Sequence, residues 1–294
     1  MVVQMIGYGE MAMYNIDKEI KSISEYIVLI HIYRKDVKTE LWYRGQRDSR
    51  WLLDSTLNRD KIIDIPVLGI GEVATLKYKN IPNFKEEMDE FRRRLGDSFP
   101  NYYNKFHLMF LGQHYKLKTP ALDWSTDPLV ALFFALDGFE YDKDVFPVVF
   151  ILKPGKLNEN SMITYKDKSP ICEPLIIDEL SDSIFDEWLG DPNNTPFSIV
   201  PLAVKSNYDI SYRISRQSGV FTLMDTRQPL NYPWIQTNIC GEPFGIAISI
   251  DPTKVEEMKQ QLESLNITKE TIYGSAHKEW DDICEEIVRN IPRI

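Results

Sequence analysis

Apolar residues recur at helical spacing or in short continuous runs along most of the chain, and this pattern predicts alternating helices and strands. Spacings of three and four residues predict helices at 16–33, 72–78, 84–95, 101–115, 128–136, 181–189, 255–265 and 278–290. Short apolar or aromatic runs predict extended segments at 40–46, 51–59, 146–152, 171–177, 197–204 and 244–250, and one after Gly219. We therefore expect an α+β fold in which helices pack around one central sheet, mixed or antiparallel.

The domain organisation is simple. The chain has 294 residues and 43% hydrophobic content, enough to bury one large core or two modest ones. No repeat and no linker rich in glycine, serine or proline divides it. We predict an N-terminal extension at residues 1–15 and a single domain at 16–294.

One stretch, residues 106–136, sets polar side chains among large apolar ones. The pattern predicts a helix, a polar elbow at 117–127 and a second, buried helix. The elbow places Trp124 beside hydroxyl and carboxylate groups, namely Thr119, Asp123, Ser125, Thr126 and Asp127. Because a buried polar group needs a hydrogen-bond partner, this density favours either a set of helix caps or a polar pocket.

The start of the second helix fits both alternatives. Ser125, Thr126 or Asp127 can cap it, and Asp127 would place Pro128 at the first helical position, where proline loses no hydrogen bond. A helix N-terminus that faces a polar pocket is also suited to bind an anion.

Arg44 lies near the end of the predicted strand at 40–46 and is followed by Gly45. An arginine beside a glycine that lets a ligand approach the backbone suits an anion clamp. The alternative is a surface arginine paired with a carboxylate such as Asp48 or Asp54.

The charge balance disfavours nucleic acid as a general partner. Lysine and arginine number 34 against 44 aspartate and glutamate, so the net charge is 34 − 44 = −10, and the pI is about 5.0. An acidic chain binds polyanions and anionic membranes poorly.

Cysteine usage and hydropathy indicate a cytoplasmic protein. The three cysteines are scattered, which favours a reducing compartment and argues against disulfides and zinc. The four histidines lack metal-ligand spacing, so no metal is expected. No apolar run approaches the ~20 residues that span a bilayer, and the N-terminus lacks the basic segment of a signal peptide.

Common catalytic signatures do not occur in the sequence. It contains no G-x-G-x-x-G, no P-loop, no G-x-S-x-G and no H-E-x-x-H. Rossmann, kinase, hydrolase and zincin functions therefore lack their usual signals.

Three stretches together resemble the FRG domain family, a family of uncertain activity found in bacteria and phages. They are W-Y-R-G-Q at 42–46, G-Q-H-Y-K-L-K-T-P-A-L-D-W-S-T-D-P-L-V-A-L-F-F-A at 112–135, and R-I-S-R-Q-S-G-V-F at 213–221. The resemblance extends over about residues 20–290. The chain departs from the middle motif where glycine, proline, arginine and leucine are usual, at Lys116, Lys118, Pro120 and Ala121.

A more distant resemblance links the chain to ADP-ribosyltransferases of the Arg-Ser-Glu type. Residues 43–45 are similar to their aromatic-Arg segment, and residues 124–126 with the following helix to their S-T-S segment. Residues 217–219 are similar to the final [QE]-x-E motif, with Gly219 where the catalytic glutamate would stand. The resemblance implies an ADP-ribosyltransferase-like core and NAD as substrate, without a metal.

The resemblance also implies roles for individual residues. Arg44 would hold the diphosphate or ribose of NAD, and Ser125 and Thr126 the nicotinamide-side ribose. Gln217 can donate hydrogen bonds but supplies no negative charge, and Asp123 is the nearest alternative carboxylate by motif. The catalytic candidates are Arg44, Asp123, Ser125 and Gln217, and the cofactor-binding candidates are Tyr43, Arg44, Gly45, Gln46, Gln113, His114, Thr119, Trp124, Thr126 and Arg213.

Three functions remain open at this point. The first is an ADP-ribosyltransferase-like enzyme acting as a toxin or phage-defence effector on an unidentified acceptor. The second is a non-catalytic module that binds a nucleotide or another anionic small molecule. The third is an interaction protein in which Asp123 anchors Arg44 or Arg213 in a buried polar network.

Overall fold

A computed structural model describes most of the chain. The described residues are 16–35, 40–57, 81–160, 172–190, 201–207, 210–224, 230, 243–274 and 278–291. The extension predicted at 1–15 and the helix predicted at 72–78 lie outside them.

Eight strands form one open, mixed sheet, which confirms the α+β prediction. The strands are β1 Ile16–Ile20, β2 Trp42–Gln46, β3 Ala121–Ser125, β4 Val148–Leu152, β5 Leu175–Ile176, β6 Leu202–Lys205, β7 Gly219–Leu223 and β8 Gly245–Ile250. Their order in the sheet is β1-β8-β4-β2-β3-β7-β6-β5. The two outer pairs, β1 with β8 and β5 with β6, are parallel, and the inner pairs are antiparallel.

Ten α-helices surround the sheet in the described part of the chain. They are α1 Ile23–Lys35, α2 Ile81–Leu95, α3 Lys105–His114, α4 Pro128–Leu136, α5 Pro154–Asn160, α6 Asp182–Gly190, α7 Tyr212–Arg216, α8 Val255–Ser264, α9 Lys269–Tyr273 and α10 Lys278–Arg289. None of the helices within these ranges has the length and hydropathy needed to cross a membrane.

Two separate cores cover different halves of one face of the sheet. The first joins α1, α4 and α8 to β2, β4 and β8. The second joins α2, α3 and α6 to β3, β6 and β7. The boundary between the two cores therefore falls between β2 and β3. A third core, which contains Trp42 and Trp124, fills the opposite face.

The single helix predicted at 16–33 is wrong, because its first part is a strand. Ile16–Ile20 pairs in parallel with β8, and the helix begins only at Ile23. Lys21 and Ser22 separate the two elements, and the Ser22 hydroxyl accepts a hydrogen bond from the backbone N–H of Glu25 at 3.2 Å. Three isoleucines spaced by three and four residues fit a helix, but pairing with β8 decides the conformation of the first five residues.

The polar elbow also contains a strand that the pattern did not predict. Ala121–Ser125 forms β3 in the middle of the sheet and pairs with β7 along its whole length. In the extended run predicted at 51–59, the described residues 51–57 form turns and no strand, although Leu53 and Leu57 are buried.

Asp127, one of the three candidate caps of the second helix, is confirmed as its N-cap. The Asp127 carboxylate accepts hydrogen bonds from the backbone N–H groups of Leu129 at 2.8 Å and Val130 at 3.4 Å, with Pro128 at the first helical position. Asp251 caps a short 3₁₀ turn, Pro252–Lys254, that precedes α8.

Lys116 occupies a backbone conformation that favours glycine. Its φ is 72°, and it follows α3, where the N–H of Leu117 donates to the carbonyl of Gly112 at 2.9 Å. This arrangement closes a helix with a left-handed residue. It explains why the FRG pattern has glycine where this chain has lysine.

Gly45 is required because α4 lies directly on β2. A methyl group at this position would overlap the backbone of Ala131 and Ala135. The glycine of W-Y-R-G-Q therefore lets α4, which begins at Pro128, pack against the strand that carries Arg44.

Candidate functional site

β2 and β3 are neighbours in the sheet but pair at one point only. Tyr43 lies opposite Ser125, whereas β2 pairs with β4 along all five of its residues. Beyond Tyr43 the two strands diverge, and a gap opens between them at the boundary between the two cores. Backbone polar groups of β3 that face this gap have no strand partner there, and such groups need another hydrogen-bond partner.

Arg44 bridges the gap. Its guanidinium donates a hydrogen bond of 2.6 Å to the backbone carbonyl of Asp123, on β3. The same guanidinium nitrogen lies 3.9 Å from the Asp123 carboxylate. The Arg44 side chain is 14% exposed and that of Asp123 is 61% exposed, so the arginine forms the floor and the carboxylate faces solvent. Asp48, an expected partner of Arg44, pairs with Arg50 at 2.8 Å.

A cleft of about 350 Å³ occupies the gap. This volume is within the range of small-molecule sites. Nine predicted site residues line the cleft together: Tyr43, Arg44, Gly45, Gln46, Asp123, Trp124, Ser125, Arg213 and Gln217. Five further residues line it that the sequence did not single out: Arg47, Trp51, Phe134, Asp137 and Tyr273.

Two arginines other than Arg44 bring positive charge to the cleft. The guanidinium carbon of Arg213 lies 4.8 Å from the ring centre of Tyr273, and that of Arg47 lies 5.1 Å from the ring centre of Trp51. Both are cation–π distances. Within the described ranges neither guanidinium forms an ion pair with a carboxylate, so both keep their charge available to an anion.

Tyr273 and Asp137 form a hydrogen-bonded pair in the lining of the cleft. The tyrosine hydroxyl donates to the Asp137 carboxylate at 3.0 Å, and Lys269 approaches the other oxygen of that carboxylate at 3.0 Å. Burial and the bond to Asp137 raise the pKa of Tyr273 to about 12, against the opposing effect of the two arginines. The phenol therefore stays protonated at neutral pH.

Ser125 and Gln217 are linked by a hydrogen bond in the lining of the cleft. The Ser125 hydroxyl donates to the backbone carbonyl of Gln217 at 2.7 Å and accepts from the N–H of Asp127 at 2.9 Å. The Gln217 side chain donates to the carbonyl of Ile272 at 3.4 Å. These bonds tie β3 and α4 to the end of α7 and to α9, and so fix the spacing across the cleft.

Asp123 is held from behind by two residues of the same motif. The Gln113 amide donates to the Asp123 carboxylate, and the Thr119 hydroxyl donates to the Gln113 carbonyl oxygen at 2.6 Å. Thr119 is fully buried. Gln113 and Thr119 do not line the cleft and instead orient the carboxylate that does.

The remaining predicted residues have other positions. The His114 ring lies 3.0 Å from the hydroxyl of Ser211, which caps α7, and the N–H of Thr126 donates to the carbonyl of Ser218 at 3.0 Å. The Trp124 indole donates to the Thr222 hydroxyl at 3.1 Å on the far face of the sheet. Burial raises the pKa of Tyr43, partly offset by Arg34.

Gly219 leaves little room for a side chain. An added Cβ would lie 2.9 Å from the side chain of Ile214 and 3.2 Å from its carbonyl oxygen. The position where the more distant resemblance places a glutamate is therefore the close-packed start of β7. Asp123 and Asp137 are the carboxylates that line the cleft, and Asp137 is engaged by Tyr273 and Lys269.

A metal centre has no support in the described ranges, where no three histidine, cysteine, aspartate or glutamate side chains are grouped to hold an ion. Asp123, the most exposed acidic group in the cleft wall, lies beside Arg44 rather than beside other carboxylates.

Comparison with protein-family models identifies the part of the chain that builds β2, β3 and α4. Residues 39–144 match the model of the FRG domain. The chain contains an FRG domain. The match includes Arg44, Asp123 and the cap of α4, whereas Arg213, Gln217 and Tyr273 lie C-terminal to it. No curated protein and no solved structure gives a significant match.

Because the bond from Arg44 ends on the backbone of Asp123, we expect substitution of the two residues to lower the free energy of unfolding by different amounts. Asp123→Ala keeps the carbonyl that accepts the bond from Arg44 and removes an exposed carboxylate, so we expect a loss of unfolding free energy below about 1 kcal/mol. Arg44→Ala leaves that carbonyl without its donor, and we expect a loss of about 1–3 kcal/mol. Urea unfolding of both variants measures the difference. A larger loss for Asp123→Ala than for Arg44→Ala would contradict this assignment.

Proposed function

We propose that the FRG domain and the segments packed against it bind a nucleotide in the cleft between β2 and β3. The observation that carries the proposal is the pair Arg47 and Arg213, two guanidinium groups without carboxylate partners in the described ranges. Guanidinium groups bind phosphate oxygens through paired, charge-assisted hydrogen bonds.

The aromatic side chains of the cleft support a ligand with a planar ring. Trp51, Phe134 and Tyr273 line the same cavity as the arginines. Aromatic rings and planar guanidinium groups provide flat surfaces on which a base can stack, and they accept any base because every base has a π face. A simple inorganic anion would not use these surfaces.

NAD is the first ligand to test. Its diphosphate suits the arginines, one of its ring systems suits the aromatic side chains, and a ribose hydroxyl suits the exposed carboxylate of Asp123. The more distant resemblance to ADP-ribosyltransferases implies the same ligand. No metal enters the proposal.

Removing one cleft arginine is expected to weaken nucleotide binding. Loss of charge-assisted hydrogen bonds makes Arg213→Met and Arg47→Met bind NAD about tenfold to a hundredfold more weakly. Isothermal titration with NAD and ADP measures the effect. Arg92→Met is the matched control, because Arg92 also stacks on a ring, that of Phe99 at 4.9 Å, but lies outside the cleft. Unchanged affinity in both cleft variants, or no binding of either nucleotide by the wild type, would refute the proposal.

ADP-ribosyl transfer is the second candidate function, and Asp123 is the observation that favours it. Its carboxylate is exposed and oriented by Gln113, and it lines the same cleft as Arg47 and Arg213, the two arginines that would hold the diphosphate. A carboxylate in this place can accept a hydrogen bond from a ribose hydroxyl. Its charge also stabilises the oxocarbenium-like state formed as the bond from ribose to nicotinamide breaks. A toxin or defence role would require a cellular acceptor for the ADP-ribose.

Asp123→Asn separates binding from this chemistry. Asparagine keeps an oxygen that can accept the bond from Gln113 but removes the negative charge. We expect nicotinamide release from NAD to fall by about 10²–10³, the range for loss of one electrostatic stabiliser, while the Kd for NAD changes by less than about threefold. Release is measured by chromatography with a lysate as acceptor source. Equal rates for wild type and variant, or no release by the wild type, would leave nucleotide binding as the function.

A further inference from the structure

A second depression adjoins the cleft on the protein surface. It has a volume of about 830 Å³ and is lined by the loop that follows β2 and by the loop between α4 and β4. Arg47 and Trp51 line both cavities. We call this surface, whose walls are residues 47–51 and 138–145, the outer groove.

The boundary between cleft and outer groove is formed by a stacked pair. The Arg47 guanidinium lies over the Trp51 ring and close to the backbone of Gly138, where an added Cβ would be 2.6 Å away from it. Arg47 is therefore held between the two loops, and a phosphate bound to it would lie where the two cavities meet.

The charges of the two cavities differ. The cleft holds three arginines and two aspartates. The outer groove has three basic and three acidic side chains: Arg47, Arg50, Lys143, Asp48, Glu140 and Asp142. Arg50 is bonded to Asp48 at 2.8 Å and 3.0 Å, so its charge is already engaged. Phosphates are thus favoured in the cleft, and an uncharged group is favoured in the outer groove.

The outer groove presents exposed aromatic rings to such a group. Trp51 is 44% exposed and Tyr141 is 68% exposed. A nucleoside base stacks on rings of this kind without needing a particular set of hydrogen bonds.

We propose that the outer groove holds the distal nucleoside of a dinucleoside diphosphate, whose diphosphate lies at Arg47 and whose other half occupies the cleft. This inference rests on the proposed nucleotide-binding function and narrows it to a ligand class. A mononucleotide would fill the cleft alone and would gain nothing from Tyr141.

Titrations with NAD and with its two mononucleotide halves, AMP and nicotinamide mononucleotide, test the ligand class. Wild type is expected to bind NAD at least about tenfold more tightly than either half, because stacking of one further base contributes that much or more. In Tyr141→Ala most of this advantage should disappear, while the tighter-binding half keeps its affinity within about twofold.

Tyr102→Ala is the matched control, because Tyr102 is 67% exposed and lines neither cavity. It should keep the wild-type preference for NAD. Equal affinity for NAD and a mononucleotide, or an unchanged preference in Tyr141→Ala, would overturn the outer groove assignment and leave the cleft proposal intact. Absence of binding of all three nucleotides to the wild type would overturn both.

Discussion

The hydrogen bond from Arg44 to the backbone of Asp123 is the interaction on which the site depends. A sheet that continued its pairing from β2 to β3 would have no gap, and a gap without a donor would leave a strand carbonyl unsatisfied. The Arg44 side chain crosses the gap and donates to the Asp123 carbonyl, so this carbonyl has a partner although β2 and β3 do not pair there. The role of Arg44 in the structure is thus to let the two strands stay apart without leaving this backbone group unsatisfied.

The gap between β2 and β3 lies at the boundary between two hydrophobic cores. One set of helices covers β2, β4 and β8, another covers β3, β6 and β7, and the two sets belong to different cores. Gly45 lets α4 reach β2 on one side, and the Ser125 hydroxyl ties α4 to the end of α7 on the other. The predicted site residues therefore divide into two kinds. Ser125, Gln113 and Thr119 hold the site in shape, whereas Arg213 and Asp123 face the cavity, together with Arg47, which the sequence did not single out.

The sequence predicted well those helices, caps and strands whose conformation is decided by residues close to one another in the chain. The Asp127–Pro128 cap, the helices at 84–95 and 181–189 and the strand at 146–152 follow from nearby residues, and the structure contains all of them with shifted ends. The strands β1 and β3 were missed because long-range pairing overrode a helical spacing in one and a polar pattern in the other. Tyr273 and Asp137 could not be found, since they meet across 136 residues of chain. Arg47 and Trp51 carried a weak signal, an arginine and an aromatic residue directly after the motif strand.

A crystal structure of the protein grown with NAD is the most direct test of nucleotide binding in the cleft. We expect the diphosphate in the gap between β2 and β3, with its oxygens within hydrogen-bond distance, about 3 Å, of the Arg47 and Arg213 guanidinium groups. NAD bound elsewhere on the surface would contradict binding in the cleft. So would a structure in which β2 and β3 pair along their whole length and close the cleft.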